Sequence, residues 1–439
     1  MGNIRTMRIS AWMALCIPDR TPHTGLMEFK NVHRPARVTE FCQEKKEISI
    51  RNYMDFVNLK DYLTAQYEVF CDGVVIEQGE LGELDILPHE KKTVPVPFHV
   101  PEKGKCFLKV TYLQRKDAEV LPAGFVLGFE EVAVETGENA NQKVKEWLAV
   151  CEQKTEFKVE EDDCDLIISN DRFCYAYDKL TGVFVEMNYQ NQSLLERPME
   201  YNIWRAPTDN DNAIRAEWQR AQYDRAVTRA YETKTVIREN QVIVETELSV
   251  SAVYIQRILD IKACWTVWAD GAVDVSLSVR KNEKFPYLPR FGLRMFLPKS
   301  MGRITYCGIG PVESYIDKRH AGYHGLFCTD VKSLHEDYLR PQENGSHHDC
   351  DYVMVENKKA AMAVASGKAF AFNASVFTQE EFAKKAHNDQ LEESPYTVLC
   401  VDYRQSGIGS NSCGPELAEK YQLNENEFCF EVRLIPEKF

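Results

Sequence analysis

The chain has 439 residues, 44% of them apolar and 27% charged, with 53 Lys and Arg against 67 Asp and Glu for a net charge of −14. This is the composition of a folded globular protein, and it excludes disordered, collagen-like and coiled-coil classes. Its length allows two or three domains. Its acidity argues against nucleic acid or an anionic membrane as partner. No stretch approaches the roughly 18 apolar residues of a membrane span. Fourteen cysteines are about 3% of the chain, below the roughly 8–10% of a disulfide scaffold. No C-x-x-C pair occurs. Cys42, Cys106, Cys264 and Cys429 lie in apolar or alternating runs and read as buried, reduced thiols of a cytoplasmic protein. Arg5 and Arg8 precede an apolar run, Ile9 to Ile17, that runs straight into Pro18-Asp19-Arg20 without a small-residue cleavage site, so a secretory leader is not expected.

In chain order, Tyr67, Val69 and Cys71 alternate into Asp72-Gly73, and Val74 and Ile76 resume the alternation. Asp-Gly between two such runs predicts a hairpin, because a type I′ turn needs positive φ at both loop residues. Val94, Val96, Phe98 and Val100 are interleaved with Pro95 and Pro97, which reads as an edge strand or no strand. Val144, Trp147, Leu148 and Cys151 fall at helical spacing. Val242 to Val250, Val273 to Val279 and Phe428 to Leu434 alternate strictly, the mark of antiparallel sheets with one buried face. Thr378 to His387 reads as a helix, with Thr378 as N-cap and Glu381 at the capping-box position. A strand–helix–strand rhythm is missing, which disfavours Rossmann and TIM-type folds for this chain.

Five segments carry a resemblance. They are PDRTPH (Pro18 to His23), YNIWRAPTDND (Tyr201 to Asp211), GIGPVESYIDKR (Gly308 to Arg319), YLRPQENGSH (Tyr338 to His347) and GIGSNSCGP (Gly407 to Pro415). In this order they resemble the C-terminal part of the large bacterial β-galactosidases of glycoside hydrolase family 2. The resemblance implies an all-β chain: an immunoglobulin-like sandwich followed by a large, galactose-mutarotase-like antiparallel β-sandwich. The expected boundaries are 1–32 for the tail of a TIM-type barrel, 33–137 for the immunoglobulin-like sandwich, 138–158 for a linker and 159–439 for the large sandwich. The catalytic nucleophile, the general acid/base and the divalent-metal site of the family belong to the barrel, upstream of these motifs. The stretch RISAWMALC, where the family has part of a monovalent-cation site, departs from the pattern. No catalytic residue, metal ligand or cofactor is therefore assigned here.

Two loops are candidates for contact with substrate. Asp209-Asn210-Asp211-Asn212 offers four short polar side chains suited to sugar hydroxyls. The same run also reads as an Asx-rich turn satisfying its own backbone. The resemblance places the matching family loop near the mouth of the active site. In Gly407 to Gly414, glycines allow close backbone approach. Some family members carry a tryptophan here that stacks on sugar. This chain has Cys413, preceded by Asn411 and Ser412, and a thiol cannot stack as an indole does. The site candidates are thus Asp209, Asn210, Asp211, Asn411, Ser412 and Cys413. Tyr201 and Trp204 read as core. His347, His348, Asp349 and Asp351, with His320 and His324, read as solvated loop rather than a metal site.

The expected function is the non-catalytic C-terminal portion of a β-galactosidase acting in lactose catabolism. It would complete the active-site mouth with a barrel-bearing chain, or assemble as a homo-oligomer, around a galactoside. The alternatives are an independent carbohydrate-binding module and an aldose 1-epimerase. The last would pair His324, His347 or His348 with Glu313 or Glu343 as acid and base. Faces that would meet a barrel are expected to be apolar and exposed.

Overall fold

Asp72 and Gly73 take φ of 50° and 81° in the computed structural model, which describes residues 15, 16, 20–409 and 414–439. They join strands Leu63–Cys71 and Val74–Glu80 in the expected hairpin. Gly73 also passes close to other backbone, its carbonyl accepting from Leu326 N at 2.9 Å.

The described residues form two units. The first holds those up to Lys143 together with Cys307–Val312 and Arg319–Leu326. Its strands make a three-stranded sheet (Ala36–Cys42, Glu47–Asn52, Lys91–Pro95) and a four-stranded sheet (Val74–Glu80, Leu63–Cys71, Cys106–Gln114, Val126–Val134). Seven short strands in two antiparallel sheets give the immunoglobulin-like sandwich. The alternation in Cys106–Gln114 turns Cys106, Leu108, Val110 and Tyr112 into the core. Lys91–Pro95 is an edge strand paired with Glu47–Asn52, and no strand continues through Pro97, as a residue without an N–H dictates. Residues 319–326, which the linear boundaries place in the large sandwich, group with this unit. Tyr323 lies 5.4 Å from Phe70 and edge-on to Phe129 at 5.9 Å, with the Lys109 ammonium 3.8 Å from its ring.

The second unit holds Val144–Tyr306, Glu313–Lys318 and Phe327–Phe439. A five-stranded antiparallel sheet spans Lys158–Glu161 to Gln192–Ser193. The larger sheet runs in the order Arg197–Asn202, Arg290–Pro298, Tyr396–Gln405, Ala360–Ser375, Glu427–Lys438, Val273–Lys281, Arg257–Trp268, Gln241–Ser251, Val227–Ile237, with Ser346–Glu356 also paired to Ala360–Ser375. Their facing sides share one core. Phe184 stands edge-on to Trp265 at 5.4 Å and to Tyr177 at 5.2 Å. This is the expected large antiparallel β-sandwich.

Helices are few and short. Gln142–Trp147 and Gln379–Lys384 have six residues each, and Thr378 Oγ1 accepts from Glu381 N at 3.1 Å. The second ends three residues before the expected His387. Among the described residues, no helix is long and apolar enough to cross a membrane. The cysteine expectation needs correction. All described cysteines are free, but Cys42 and Cys429 are exposed and Cys264 is half-buried, while Cys106 is buried. An apolar run does not bury every member, because alternate residues of a strand face opposite sides.

Candidate functional site

Arg205 stands in an apolar run and is wholly buried. A buried guanidinium must be paired, and the chain supplies the partner six residues on. Arg205 Nε and Nη2 donate to Asp211 Oδ2 at 3.3 Å and Oδ1 at 2.8 Å. Asp211 also closes a reciprocal cap: its Oδ2 accepts from Thr208 N at 2.8 Å, and its own N donates to Thr208 Oγ1 at 3.3 Å. These bonds bend Asp209–Asn212 into a 3₁₀ turn. Asp211, a candidate for substrate contact, thus holds the loop from inside. Asp209 is exposed, as is Asn212. The Asp209 carboxylate lies 3.3 Å from Arg340, and Asp209 N donates to Gln342 Oε1 at 2.9 Å.

The two candidate loops meet. Asn210 Nδ2 donates to Ile408 O at 2.6 Å. Beneath it, Arg205 donates to Ser406 O and, at 3.1 Å, to Gly407 O. The Asp317 carboxylate accepts from Ile408 N at 3.0 Å and Gly409 N at 2.8 Å. Asn411, Ser412 and Cys413 lie outside the described residues. Around Asp209 the neighbouring Arg340, Gln342 and Asn210 are polar, so among the described residues the apolar face expected of a surface that meets a barrel is not seen there, which weighs against a partner chain at this point.

A second buried cation lies in the same unit. Arg290 donates to both oxygens of Asp402, at 3.1 Å from Nε, and reaches Glu343 Oε2 at 3.5 Å. Glu343 N donates to Ala206 O at 3.1 Å, next to Arg205 in the chain. Two guanidinium groups thus face three carboxyl groups, and Glu343 is the surplus acid. Burial pushes its pKa up to about 7, against the pull of Arg290 and Arg205 and with the help of Asp402 and Glu313. Burial also opposes the charge on Arg205, but Asp211 outweighs it and holds the guanidinium protonated.

The third buried pair closes the network. Lys318 Nζ lies 2.5 Å from Glu313 Oε1, which accepts from Tyr338 OH at 2.7 Å, while Gly345 N donates to Glu313 Oε2 at 2.8 Å. Burial raises the Glu313 pKa, but the Lys318 charge and these bonds hold it below the usual carboxylate range. Tyr201 and Trp204 are core, as expected. The histidine segment is not the solvated loop expected. His347 lies in strand Ser346–Glu356, its ring tilted against Tyr306 at 4.4 Å and stacked on Phe372 at 5.1 Å. His324 is also buried, its ring 4.7 Å from Phe107.

Sequence reasoning passed over Arg205, Arg290, Asp317 and Asp402. The available signal was a charged residue inside an apolar run, as in YNIWRAP. Four of the five motifs contribute to this one network: Arg205 and Asp211, then Glu313 and Asp317, then Glu343, then Gly407. Elsewhere a cleft of about 1240 Å³ is lined by Lys299, Arg303, Lys332, Lys358 and Lys359 among others. Lys299 and Lys332 both pair with Glu393, and Arg303 pairs with Glu356.

Residues 169–434 match the family described as β-galactosidase small chain, and residues 48–135 match β-galactosidase domain 4. The chain is 39% identical over 424 residues to the β-galactosidase of Actinobacillus pleuropneumoniae, covering 97% of this chain and 41% of that one. It is 31% identical over 428 residues to that of Staphylococcus xylosus, covering 96% and 42%. The chain therefore spans about two fifths of the length of these curated relatives. A solved galactose 1-epimerase from Lactobacillus acidophilus NCFM is similar at 10% identity and a TM-score of 0.35, over 65% of this chain and 99% of that one. At that score the likeness carries no functional argument.

Proposed function

Because the chain belongs to the β-galactosidase small-chain family, we propose that it forms the non-catalytic C-terminal part of a β-galactosidase. It completes the mouth of a galactoside site whose catalytic acids lie on a barrel-bearing portion, in the same polypeptide or in a partner chain. The observation that carries this reading is the join between the two loops, Asn210 Nδ2 to Ile408 O at 2.6 Å with Arg205 bridging beneath. Two separate turns become one polar rim.

Such a rim suits a sugar, whose hydroxyls accept hydrogen bonds from side-chain amide N–H groups and donate them to carboxylate oxygens. Asp209 and Asn210 are the members we assign to hydroxyl contact, while Asp211 holds their turn. Asn411, Ser412 and Cys413 join this assignment by sequence position alone. Retaining hydrolysis needs two carboxyl groups about 5–5.5 Å apart, one ionised and one protonated. In this reading the barrel supplies them, with the family's metal sites, and lactose is the natural galactoside. Assembly is with the barrel-bearing portion or as a homo-oligomer. The free thiols fit a reducing cytoplasm.

The test is a chimaera in which this chain replaces the matching C-terminal part of the A. pleuropneumoniae relative. The expected result is hydrolysis of a chromogenic β-galactoside by the chimaera and none by either part alone. A folded chimaera without activity would end the reading. Saturable lactose binding by the isolated chain in calorimetry, with no gain of activity in the chimaera, would put a free-standing binding module in its place.

A further inference from the structure

Asp317 belongs to neither candidate loop, yet it holds one of them. It sits in a tight turn closed on both sides: Tyr315 N donates to Lys318 O at 2.8 Å, and Lys318 N donates to Tyr315 O at 3.1 Å. The residues flanking the turn are anchored in turn. Lys318 is paired with buried Glu313, and the Tyr315 ring is buried. From this base the carboxylate projects onto the start of the other loop. Oδ1 accepts from Ile408 N at 3.0 Å, and Oδ2 accepts from Gly409 N at 2.8 Å. Each oxygen takes one of two successive amides, which fixes both the position and the tilt of that peptide.

The fit is tight enough to dictate the sequence. A Cβ on Gly407 would fall inside the Asp317 carboxylate, and one on Gly409 would come within 3.0 Å of Oδ2. Gly407 and Gly409 thus make room for the carboxylate. Ile408 is held on its other side, its carbonyl taking the Asn210 side chain. Asp317 fixes the amides and Asn210 the carbonyl of neighbouring peptides, so a shift of either displaces the rim as a whole.

We propose that Asp317 is a positioning residue, which sets Ile408 and Gly409 against Asn210 and thereby aligns the rim with the galactoside. The inference rests on the function proposed above, and it names the residue on which that rim depends. Asp317 does not itself touch the sugar. Its removal weakens substrate binding and leaves the chemical step nearly intact, because the reacting acids are elsewhere.

The experiment has two arms. In the isolated chain, amide hydrogen exchange of peptides spanning 406–409 is compared for the parent, Asp317→Ala and Asp317→Asn. Exchange about tenfold or more faster is expected in the alanine variant. The asparagine variant, which keeps one acceptor oxygen, should be intermediate. In the chimaera, Asp317→Ala is expected to raise KM for a chromogenic galactoside about tenfold with kcat changed less than about threefold. The asparagine variant, closest in shape, should recover part of the loss.

Unchanged exchange, or faster exchange with unchanged KM, would overturn the proposal. So would equal losses in kcat and kcat/KM with KM constant. A parent chimaera that is itself inactive marks failure of the functional reading. An active parent indifferent to Asp317 marks failure of this inference alone.

Discussion

Replacing Arg205 by alanine should be among the most costly single changes in the second unit. The guanidinium is fully buried and its Asp211 partner is 6% exposed. Truncation leaves that carboxylate buried without its cation, a loss of about 3–5 kcal/mol for a broken buried pair. It also strips a donor from Ser406 O and from Gly407 O. An orphaned acceptor costs about 1–3 kcal/mol, less where water enters the vacated space. A total of about 4–6 kcal/mol is expected, and at about 2–4 °C per kcal/mol that lowers the second unit's Tm by about 10–20 °C. Arg205→Lys keeps the charge but loses the planar fork, and should fall between the parent and alanine. Urea unfolding followed by tryptophan fluorescence reads this directly, since Trp218 lies 5.5 Å from the guanidinium. The double change Arg205→Met with Asp211→Asn should recover part of the loss, because it removes both charges. A loss under about 1 kcal/mol for Arg205→Ala, or strict additivity in that cycle, would show that the buried pair does not hold the loops.

Two further outcomes follow from buried groups and close approaches. Burial raises Glu343 to about 7, and burial with the Glu313 charge does the same for Glu336. Between the unfolded carboxylate range and pH 7, the folded chain keeps protons that the unfolded chain has released, so stability falls as pH rises through that window and levels off above it. Each group contributes up to about 1.4 kcal/mol per pH unit there. Glu343→Gln should remove about one such contribution between pH 5 and pH 7, and an identical slope in urea titrations of parent and variant would contradict the assignment. Gly73→Ala should destabilise the first unit by about 2 kcal/mol or more, through its positive φ and a Cβ placed 2.5 Å from Leu326 N. Exchange of the 63–80 hairpin should accelerate while the tryptophan-reported transition of the second unit stays put.

The fold was legible because alternation and turn chemistry are local. Asp72-Gly73 specifies its hairpin without help from distant residues, and Thr378 with Glu381 marks a helix start. Other features depend on residues far apart in the chain. Pro95 and Pro97 announced an edge, but nothing local could tell that residues 319–326 would pack with Phe70 and Phe129 of the first unit. The DND run was ambiguous for a physical reason. The same carboxylate that could meet a hydroxyl can cap its own turn, and Asp211 does the second because Arg205 lies beneath it. The histidine segment misled because its polar letters hid a strand, in which His347 packs against Tyr306 and stacks on Phe372.

The network also bears on what kind of chemistry the acids of this unit perform. Glycoside hydrolysis and sugar epimerisation both need carboxyl groups with lone pairs aimed at substrate. Here Asp211 is spent on Arg205, Asp402 on Arg290, and Glu313 on Lys318, Tyr338 and Gly345 N. Glu313 is thereby held ionised, which makes it a poor proton donor. Among the acids of the network, Glu343 is the one raised to about 7, yet it is 4% exposed and backs onto Arg290. In a pairing of Glu313 or Glu343 with His347 as acid and base, one acid is committed, one is buried, and the imidazole is packed against the Tyr306 and Phe372 rings. Four of the motifs that carry the family resemblance supply the residues that hold the two loops in register.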